Sequence, residues 1–365
     1  MTVFTPVIVS APPFEGRVND FDVVLLDGRQ LLVCTHEVSL RACTWDPASD
    51  HWTEYSLDDP YGDDGDGYTE LTALCAAVID DRVVIGGGGD HQGFAQWDLE
   101  SGKVRLSAWE GGVASATTAD VGGRPLFVVG NTSGTGIQLW DPSAAEPDDD
   151  SEDMGNKIEA DSASEPSPYD LLVETEELRA DSYAASAVAA GVLGDRAVAV
   201  GIGDGADDHV LVWDIAEEEP LTEFDEHEED LHQFALAIVD GATRVVAAGD
   251  RSIVVGNPET GAWDEPFTGP PLLTTTGTGS GASDEGGGNI RCLAVGLANG
   301  RPVAVTGAED GTLRAWDLSA RRMIGEPFRG SDAEIRAIAV MELDGPPVVV
   351  TAGHDGEVRV WAFAA

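Results

Sequence analysis

Two stretches near the C-terminal end of the chain repeat each other and decide the fold. Residues 301–317 read RPVAVTGAEDGTLRAWD, and residues 347–361 read PVVVTAGHDGEVRVW. In both, an apolar run reaches a threonine, an Asp-Gly pair follows, and a second run of alternating character leads to a tryptophan. An Asp-Gly pair between β-branched runs is a strong signal for a β-hairpin. Each stretch therefore predicts two antiparallel strands joined by a short turn.

The same unit recurs upstream in weaker form, which gives seven units. In one of them a glycine, six residues after Asp250, replaces the final tryptophan. The closest units are 43–45 residues apart. A period of about 40–45 residues with four short strands per unit indicates the blades of a β-propeller. The residues that mark the seven units are Trp45, Trp97, Trp140, Trp213, Gly256, Trp316 and Trp361.

These repeats resemble the WD40 repeat family over essentially the whole chain, as a divergent, prokaryotic-type member. The resemblance implies an all-β, seven-bladed propeller of four-stranded antiparallel blades in one domain, residues 1–365. A helical fold disagrees with the composition, because 44 glycines and 19 prolines interrupt the short apolar runs. The family's His–Ser/Thr–Asp–Trp network is incomplete here. Three of its members persist in blades six and seven, as Thr306, Asp310 and Trp316, and as Thr351, Asp355 and Trp361.

The two ends of the chain predict how the ring closes. The last unit stops four residues after Trp361, so it lacks a fourth strand of its own. The motif Pro-Phe-x-Gly follows units five and six, where a fourth strand belongs, and recurs at Pro13 ahead of unit one. We therefore expect residues 7–14 to complete the last blade, which removes two exposed sheet edges.

Three insertions interrupt the repeat, at residues 58–68, 142–168 and 269–288. Their composition, rich in Asp, Ser, Pro and Gly, predicts loops. Residues 169–177 are expected to form the delayed fourth strand of blade three. The resemblance places the first and third loops on one face of the propeller and the second loop on the opposite face.

The charge of the chain argues against several classes of partner. It carries 67 acidic and 20 basic residues, a formal net charge of −47. Such a field repels phosphate backbones and anionic lipid, so we expect no binding to nucleic acid or to membranes. The chain begins without a basic, apolar leader, and Cys34, Cys43, Cys75 and Cys292 form no CxxC pair. These features predict a cytoplasmic protein with reduced, buried thiols.

The motifs that could carry chemistry do not fit their templates. His227 and His232 are five residues apart, so they do not share a helical face as zinc-protease histidines do. The four glycines at 86–89 precede a strand and not a helix, which excludes a phosphate-binding loop. The Asp-rich residues 58–68 miss the EF-hand spacing, which leaves a loose cation site as an open alternative. We expect no enzymatic activity, no cofactor and no catalytic metal.

In the WD40 family, the residue after the first apolar position of each innermost strand tends to face the rim of the channel. The cationic members of this set fall in the consecutive blades five, six and seven. Two interpretations of Arg291 and Arg336 stay open. They form structural ion pairs with Asp332, Glu334 and Asp284, or they form a cationic patch that holds a partner's carboxylate. The full set is Asp22, Thr72, Ala114, Ala184, His232, Arg291 and Arg336.

These features favour a non-enzymatic scaffold or adaptor that binds another protein, with a basic protein as one candidate partner, through a propeller face. One alternative is an acidic inhibitor or immunity-type protein that blocks a basic partner such as a nuclease. A second is a hydrolase whose site is assembled from loops of several blades. An acidic inhibitor would release its partner in salt, whereas a scaffold with apolar contacts would retain it. The residues predicted to bind the partner are Asp22, Thr72, His232, Arg291 and Arg336.

The charge also predicts that stability depends on salt. Repulsion among the acidic residues should destabilise the compact state at low ionic strength. We expect Tm, followed by circular dichroism, to rise as NaCl increases from about 10 to about 500 mM. A flat or falling Tm would show that the acidic residues are compensated locally.

Overall fold

Strands account for all regular secondary structure in the described part of the chain. The computed structural model describes residues 3–14, 16–36, 39–60, 71–89, 92–106, 112–131, 135–144, 170–172, 183–204, 209–217, 219–267, 288–343 and 347–363. In these ranges no helix is long and apolar enough to cross a membrane.

The strands form seven antiparallel blades arranged in a ring, which confirms the propeller predicted from the repeats. Blade one contains β2 (Phe21–Leu26), β3 (Arg29–Thr35), β4 (Arg41–Asp46) and β5 (His51–Ser56). Blade two contains β6 (Ala73–Ile79), β7 (Arg82–Gly89), β8 (Gln92–Asp98) and β9 (Val104–Leu106). Blade three contains β10 (Val113–Val121), β11 (Arg124–Asn131), β12 (Thr135–Trp140) and β13 (Asp170–Leu172). Blade four contains β14 (Tyr183–Leu193), β15 (Arg196–Asp204), β16 (Val210–Asp214) and β17 (Glu219–Glu223).

The last three blades complete the ring, and blade seven takes its outer strand from the start of the chain. Blade five contains β18 (Gln233–Val239), β19 (Ala242–Ala248), β20 (Ile253–Asn257) and β21 (Ala262–Trp263). Blade six contains β22 (Ile290–Ala298), β23 (Arg301–Ala308), β24 (Thr312–Asp317), β25 (Arg322–Met323) and β26 (Phe328–Arg329). Blade seven contains β27 (Ile335–Glu342), β28 (Pro347–Gly353), β29 (Val358–Phe363) and β1 (Phe4–Ser10).

The core is divided into seven apolar clusters, one in each gap between neighbouring blades. Each blade therefore buries both faces of its sheet. Along β23, Val303 and Val305 pack toward blade seven, and Ala304 between them packs toward blade five with Trp316. This is why the second strand of each unit reads as a continuous apolar run instead of an alternating one.

The buried tryptophans of blades six and seven satisfy their ring N–H with threonine, as the resemblance implied. In blade four the corresponding position is Gly201, and Trp213 Nε1 has no hydrogen-bond partner among the described residues. In blade seven, the Ser331 hydroxyl donates to Asp355 at 2.8 Å. The tryptophan–threonine pairs are Trp316–Thr306 at 3.2 Å and Trp361–Thr351 at 3.0 Å.

The first strands of successive blades contact one another all the way round, which places them innermost, around the channel. Their starting ends define what we call the rim mouth, and their finishing ends, next to the first hairpin turn, define the turn mouth. Side chains bridge neighbouring first strands along this wall. Examples are Thr118 to the Ala76 carbonyl at 2.9 Å and Cys292 to the Ile335 carbonyl at 3.6 Å.

Closure by the N-terminal strand is confirmed, but the strand lies earlier than predicted. β1 pairs antiparallel with β29 from Phe4 opposite Phe363 to Ser10 opposite Val358, not over residues 7–14. Phe4 is 1% exposed and stacks on Phe363 with ring centroids 5.5 Å apart. The pairing begins at this buried ring, whereas the Pro13 region that suggested the later position lies beyond the strand.

The insertions lie mostly outside the described residues. Residues 61–70, 145–169 and 268–287 are not among them, so the loop predictions there stay predictions. For blade three, β13 confirms a delayed fourth strand at the start of the predicted 169–177, because it pairs with β12. Residues 173–177 lie outside the described ranges.

The closure contact predicts a large loss of stability when Phe4 is truncated. Phe4→Ala should lower the free energy of unfolding by about 3 kcal/mol, because the ring is buried between Phe363 and Phe328. Val9→Ala, on the same strand but 56% exposed, should change it by less than about 0.5 kcal/mol. Urea unfolding of both variants checks this, and equal midpoints would contradict the closure argument.

Candidate functional site

The rim position is marked by a β-bulge in four of the seven blades. In blades six and seven the register shifts between Ile290 and Cys292 and between Ile335 and Ala337, so the extra residues are Arg291 and Arg336. A bulge re-aims the side chain of its extra residue away from the regular alternation of the strand. Ala114 in blade three also occupies a bulge, between Val113 and Ser115.

Two members of the predicted rim set, Ala184 and Asp22, do not lie at the residue of a bulge. In blade four the register shift falls between Ala185 and Ala187, so the bulge residue is Ser186 and not Ala184. In blade one Asp22 lies inside β2, opposite Val33. The buried residue that leads into this strand is Val18, and the polar residues Asn19 and Asp20 separate it from the strand.

Thr72 and His232 lie where the rim set predicted them, directly before β6 and β18. Their backbone N–H groups donate to the carbonyls of Gly88 and Ala248. The Thr72 hydroxyl also turns back to Gly88, at 3.4 Å. His232 reaches the next blade, because its Nε2 lies 3.0 Å from the Ile290 carbonyl, one residue before Arg291. His232, Arg291 and Arg336 therefore lie along one arc of the rim, and Thr72 and Asp22 lie apart from it.

Glu334 is the centre of a charged cluster on this arc, which we call the rim cluster: Arg291, Glu309, Glu334, Arg336 and His354. Glu334 Oε1 lies 3.5 Å from Arg291 Nε and 3.2 Å from Arg336 Nε. Arg291 also pairs with Glu309. The guanidinium-bearing side chains are 40% and 42% exposed, and Glu334 is 17% exposed. The cluster is therefore a half-open site and not a buried ion pair.

His354 joins the rim cluster through both ring nitrogens. Arg336 Nε donates to His354 Nε2 at 3.1 Å. His354 Nδ1 lies 3.2 Å from Glu334 Oε2. His354 thus links Arg336 to Glu334 a second time.

The expected partners of the two arginines are met in part. Glu334 is a partner of both, as the ion-pair interpretation predicted. Asp332 instead pairs with Arg329, at 3.2 Å, and Asp284 lies outside the described residues. Glu309 was not predicted from the sequence as a partner of Arg291. Its position beside Asp310, in the second hairpin turn of blade six, indicates an acidic side chain near the start of the first strand.

Both contacts of Arg336 use Nε, and this leaves one edge of its guanidinium unused. Its two terminal amino groups make no hydrogen bond or ion pair with the described residues. That edge carries parallel N–H donors in the spacing of a carboxylate, so it can take one bidentately. Arg291 differs, because its terminal nitrogen is already engaged by Glu309.

Two carboxylates in the channel wall join blade one to blade two. Asp20 accepts from the backbone N–H of the following residue at 2.9 Å and from Leu74 N–H at 3.1 Å. Asp22 accepts from its own following residue at 2.7 Å and from Ala76 N–H at 2.8 Å. Successive aspartates two apart on a strand share one face, and here that face meets the first strand of the next blade.

Burial raises the pKa of both channel aspartates. It brings the pKa of Asp20 to about 7, with a further increase from the charge of Asp22 and an opposing effect of the N–H donors. The pKa of Asp22 rises to about 6 for the same main reason. Burial, together with the charges of Asp22 and Asp20, also raises the pKa of the neighbouring Cys75 thiol well above its usual value.

The remaining candidate motifs have structural explanations in the described residues. All four cysteines are free and buried, as predicted. His227 packs against Trp263 with ring centroids 6.0 Å apart, and no group of three or more His, Cys, Asp or Glu in the described ranges is arranged to hold a metal. A Cβ at Gly86 would lie 2.3 Å from Phe94, so close packing explains this glycine.

No protein-family model matches the chain, and no curated protein matches it significantly. The seven-bladed β-propeller therefore rests on the strands and their pairing, and the WD40 resemblance rests on the repeat pattern.

The channel aspartates predict a defined pH dependence of stability. Folding raises the pKa of Asp20 from 3.8 to about 7, so the folded state binds its proton more tightly than the unfolded chain between about pH 4 and about pH 7. The stabilisation that this proton provides is complete below pH 4 and is lost as the pH rises through about 7. Each pH unit in that window changes the free energy of unfolding by at most about 1.4 kcal/mol.

Asp20→Asn removes this titration. Between about pH 5 and pH 8, wild type should lose on the order of 2 kcal/mol more unfolding free energy than Asp20→Asn does. Asp27→Asn, in an exposed turn, serves as the matched control and should follow wild type. Parallel curves for wild type and Asp20→Asn would contradict the prediction.

Proposed function

We propose that this protein is a non-enzymatic scaffold that binds another protein at the rim mouth of its channel. The observation that carries the proposal is the guanidinium edge of Arg336 that contacts none of the residues the structure describes. A chain with a net charge of −47 has few basic residues. Several of its arginines form ion pairs with an Asp or Glu of the same blade. An arginine held in place through Nε, with its outer edge unoccupied, is suited to recognition.

The two contacts of Arg336 Nε favour binding of a ligand by its terminal amino groups. Glu334 and His354 fix Nε from two sides, at 3.2 and 3.1 Å, so little side-chain entropy is lost when a ligand arrives. The expected ligand is a carboxylate on a partner protein, from an Asp or Glu side chain or a C-terminus. Arg291, one blade away, shares Glu334 with Arg336.

Support for a binding role also comes from what the arc lacks in its described residues. A hydrolase would need a nucleophile or metal-bound water beside a base. The rim cluster contains guanidinium groups, carboxylates and one histidine, and His354 is engaged on both ring nitrogens. This composition suits ion-pair recognition better than acid–base catalysis.

Substitution of the rim arginines tests the proposal. Arg291→Ala combined with Arg336→Ala should weaken partner binding by at least about 2 kcal/mol, or about 30-fold in Kd. Arg336→Lys should recover little of the loss, because lysine keeps the charge but has no bidentate edge. Tagged wild type first captures the partner from a host lysate, and titration calorimetry then compares the variants.

Arg41→Ala is the matched control for this experiment. Arg41 is 54% exposed and pairs with Glu54 in blade one, so it reproduces an exposed arginine ion pair away from the rim cluster. It should bind the partner as wild type does. A partner that binds the double variant and wild type alike, with unchanged Tm, would refute the proposal, and release by salt alone from every variant would favour the acidic inhibitor.

A further inference from the structure

Most of the large exposed apolar residues in the described chain share one structural position. Leu25, Val192, Ile238 and Leu297 are 63%, 47%, 58% and 59% exposed. Each is the second-to-last residue of an innermost strand, and each pairs with a residue near the start of the second strand of its blade. The pairs are Leu25–Gln30, Val192–Ala197, Ile238–Thr243 and Leu297–Pro302.

Because the innermost strands surround the channel, residues at one register position lie at one level around it. We call these four residues, with the half-buried Val78 of blade two at the same position, the turn-mouth ring. They belong to blades one, two, four, five and six. Singly exposed apolar residues are ordinary on a protein surface, but repetition of exposure at one position is not.

The fold does not require apolar residues at this position. In blades three and seven it is occupied by Asp120 and Glu342, opposite Pro125 and Pro347. Both acids are exposed. The hairpin therefore also forms with a charged side chain at this position, so strand formation does not require the aliphatic side chains of the other five blades.

The turn-mouth ring is surrounded by acidic residues. The first hairpin turns need positive φ, which Asp, Asn and Gly tolerate, as Asp27 and Gly28 show with φ of 52° and 72°. Together with Asp120 and Glu342, the exposed turn acids form what we call the acidic collar. Its members are Asp27, Asp80, Asp81, Asp120, Asp195, Asp240 and Glu342.

Arginines at this mouth do not cancel the collar. Three of them, each at the start of a second strand, pair with aspartates that end a third strand and are not collar members. These pairs are Arg29–Asp46 at 3.3 Å, Arg82–Asp98 at 2.6 Å and Arg196–Asp214 at 3.6 Å. Arg124 and Arg301 occupy the same position, and seven collar acids still outnumber them.

We propose that the turn-mouth ring and its acidic collar dock a cationic amphipathic segment of another protein, with aliphatic side chains on the ring and Lys or Arg on the collar. Charge complementarity selects this occupant. A second copy of the chain would bring two acidic collars together, and an anionic membrane would be repelled by the same acids. The surface lies at the opposite mouth from the rim cluster, so it is independent of the proposed function.

A designed peptide tests the proposal without knowledge of the partner. The probe is a fluorescein-labelled helical peptide of about 15 residues, with leucine on one face and lysine on the other. Fluorescence anisotropy at about 0.15 M NaCl gives its Kd for the full-length protein. The ring variant Leu25→Gln/Ile238→Gln/Leu297→Gln should bind at least about tenfold more weakly than wild type.

Two controls separate the ring from the general acidity of the chain. Val7→Gln/Val9→Gln removes equally exposed aliphatic side chains from the outer strand β1 and should bind the peptide within about twofold of wild type. A peptide with serine in place of leucine should bind wild type and ring variant equally, and lose this binding at about 0.5 M NaCl. A leucine–glutamate peptide should bind neither protein.

Several outcomes would overturn the proposal. One is an equal Kd of wild type and ring variant for the leucine–lysine peptide. Another is binding of the leucine–glutamate peptide to wild type. A third is binding of wild type, but not of the ring variant, to anionic vesicles. Dimerisation of wild type that the ring variant abolishes would point to a second copy instead. Tm verifies that each variant is folded, and if the triple variant is not, Leu25→Gln alone should still weaken binding about threefold.

Discussion

The pairing of β1 with β29 is the contact on which the rest of the ring depends. Every blade of a propeller buries both sheet faces against its neighbours, so a gap anywhere exposes two of them. Here blade seven contains both the first and the last strand of the described chain, and their pairing closes the ring. Phe4 packs between Phe363 and Phe328 on the blade-six side. At the other end of β1, Ser10 accepts from Trp52 Nε1 at 2.8 Å, in blade one.

The channel wall adds a second, polar system of contacts between blades. It is built from side chains that reach the backbone of the next first strand, such as Asp20 to Leu74 N–H and His232 to the Ile290 carbonyl. The inner edge of each innermost strand would otherwise leave backbone groups without partners. Carboxylates can do this only at the cost of desolvation, which is why the pKa of Asp20 rises to about 7.

The repeat period and the Asp-Gly hairpins were sufficient to predict seven blades, because turn chemistry and strand alternation are local properties of the sequence. Register was harder to predict. The predicted rim residue coincides with a bulge where one apolar residue precedes the bulge directly, as Ile290 precedes Arg291. The two differ in blade four, where a long alanine-rich strand offers several equivalent starts near Ala184. In blade one, Asn19 and Asp20 interrupt the apolar pattern ahead of the strand.

The rim cluster could be predicted only in part, since its contacts cross blades. Glu334 precedes Arg336 by two residues, so that contact is nearly local. Its contact with Arg291 joins residues more than 40 positions apart, and this depends on how two blades face each other. The turn-mouth ring is invisible in the sequence for the same reason, because Leu25 and Leu297 become equivalent only once the strand register is known.

The two mouths of the channel differ in the sign of charge that they would accept, and this follows from the composition of the chain. In a protein with 67 acidic residues most arginines of the described ranges pair with acids, and in the rim cluster Arg336 makes its contacts with Glu334 and His354 through Nε alone. At the turn mouth, the apolar ring supplies the selectivity that acidity alone lacks. Partners of opposite charge at the two mouths could not exchange places. An adaptor with these two surfaces would therefore bring two different proteins together in a fixed order along one axis.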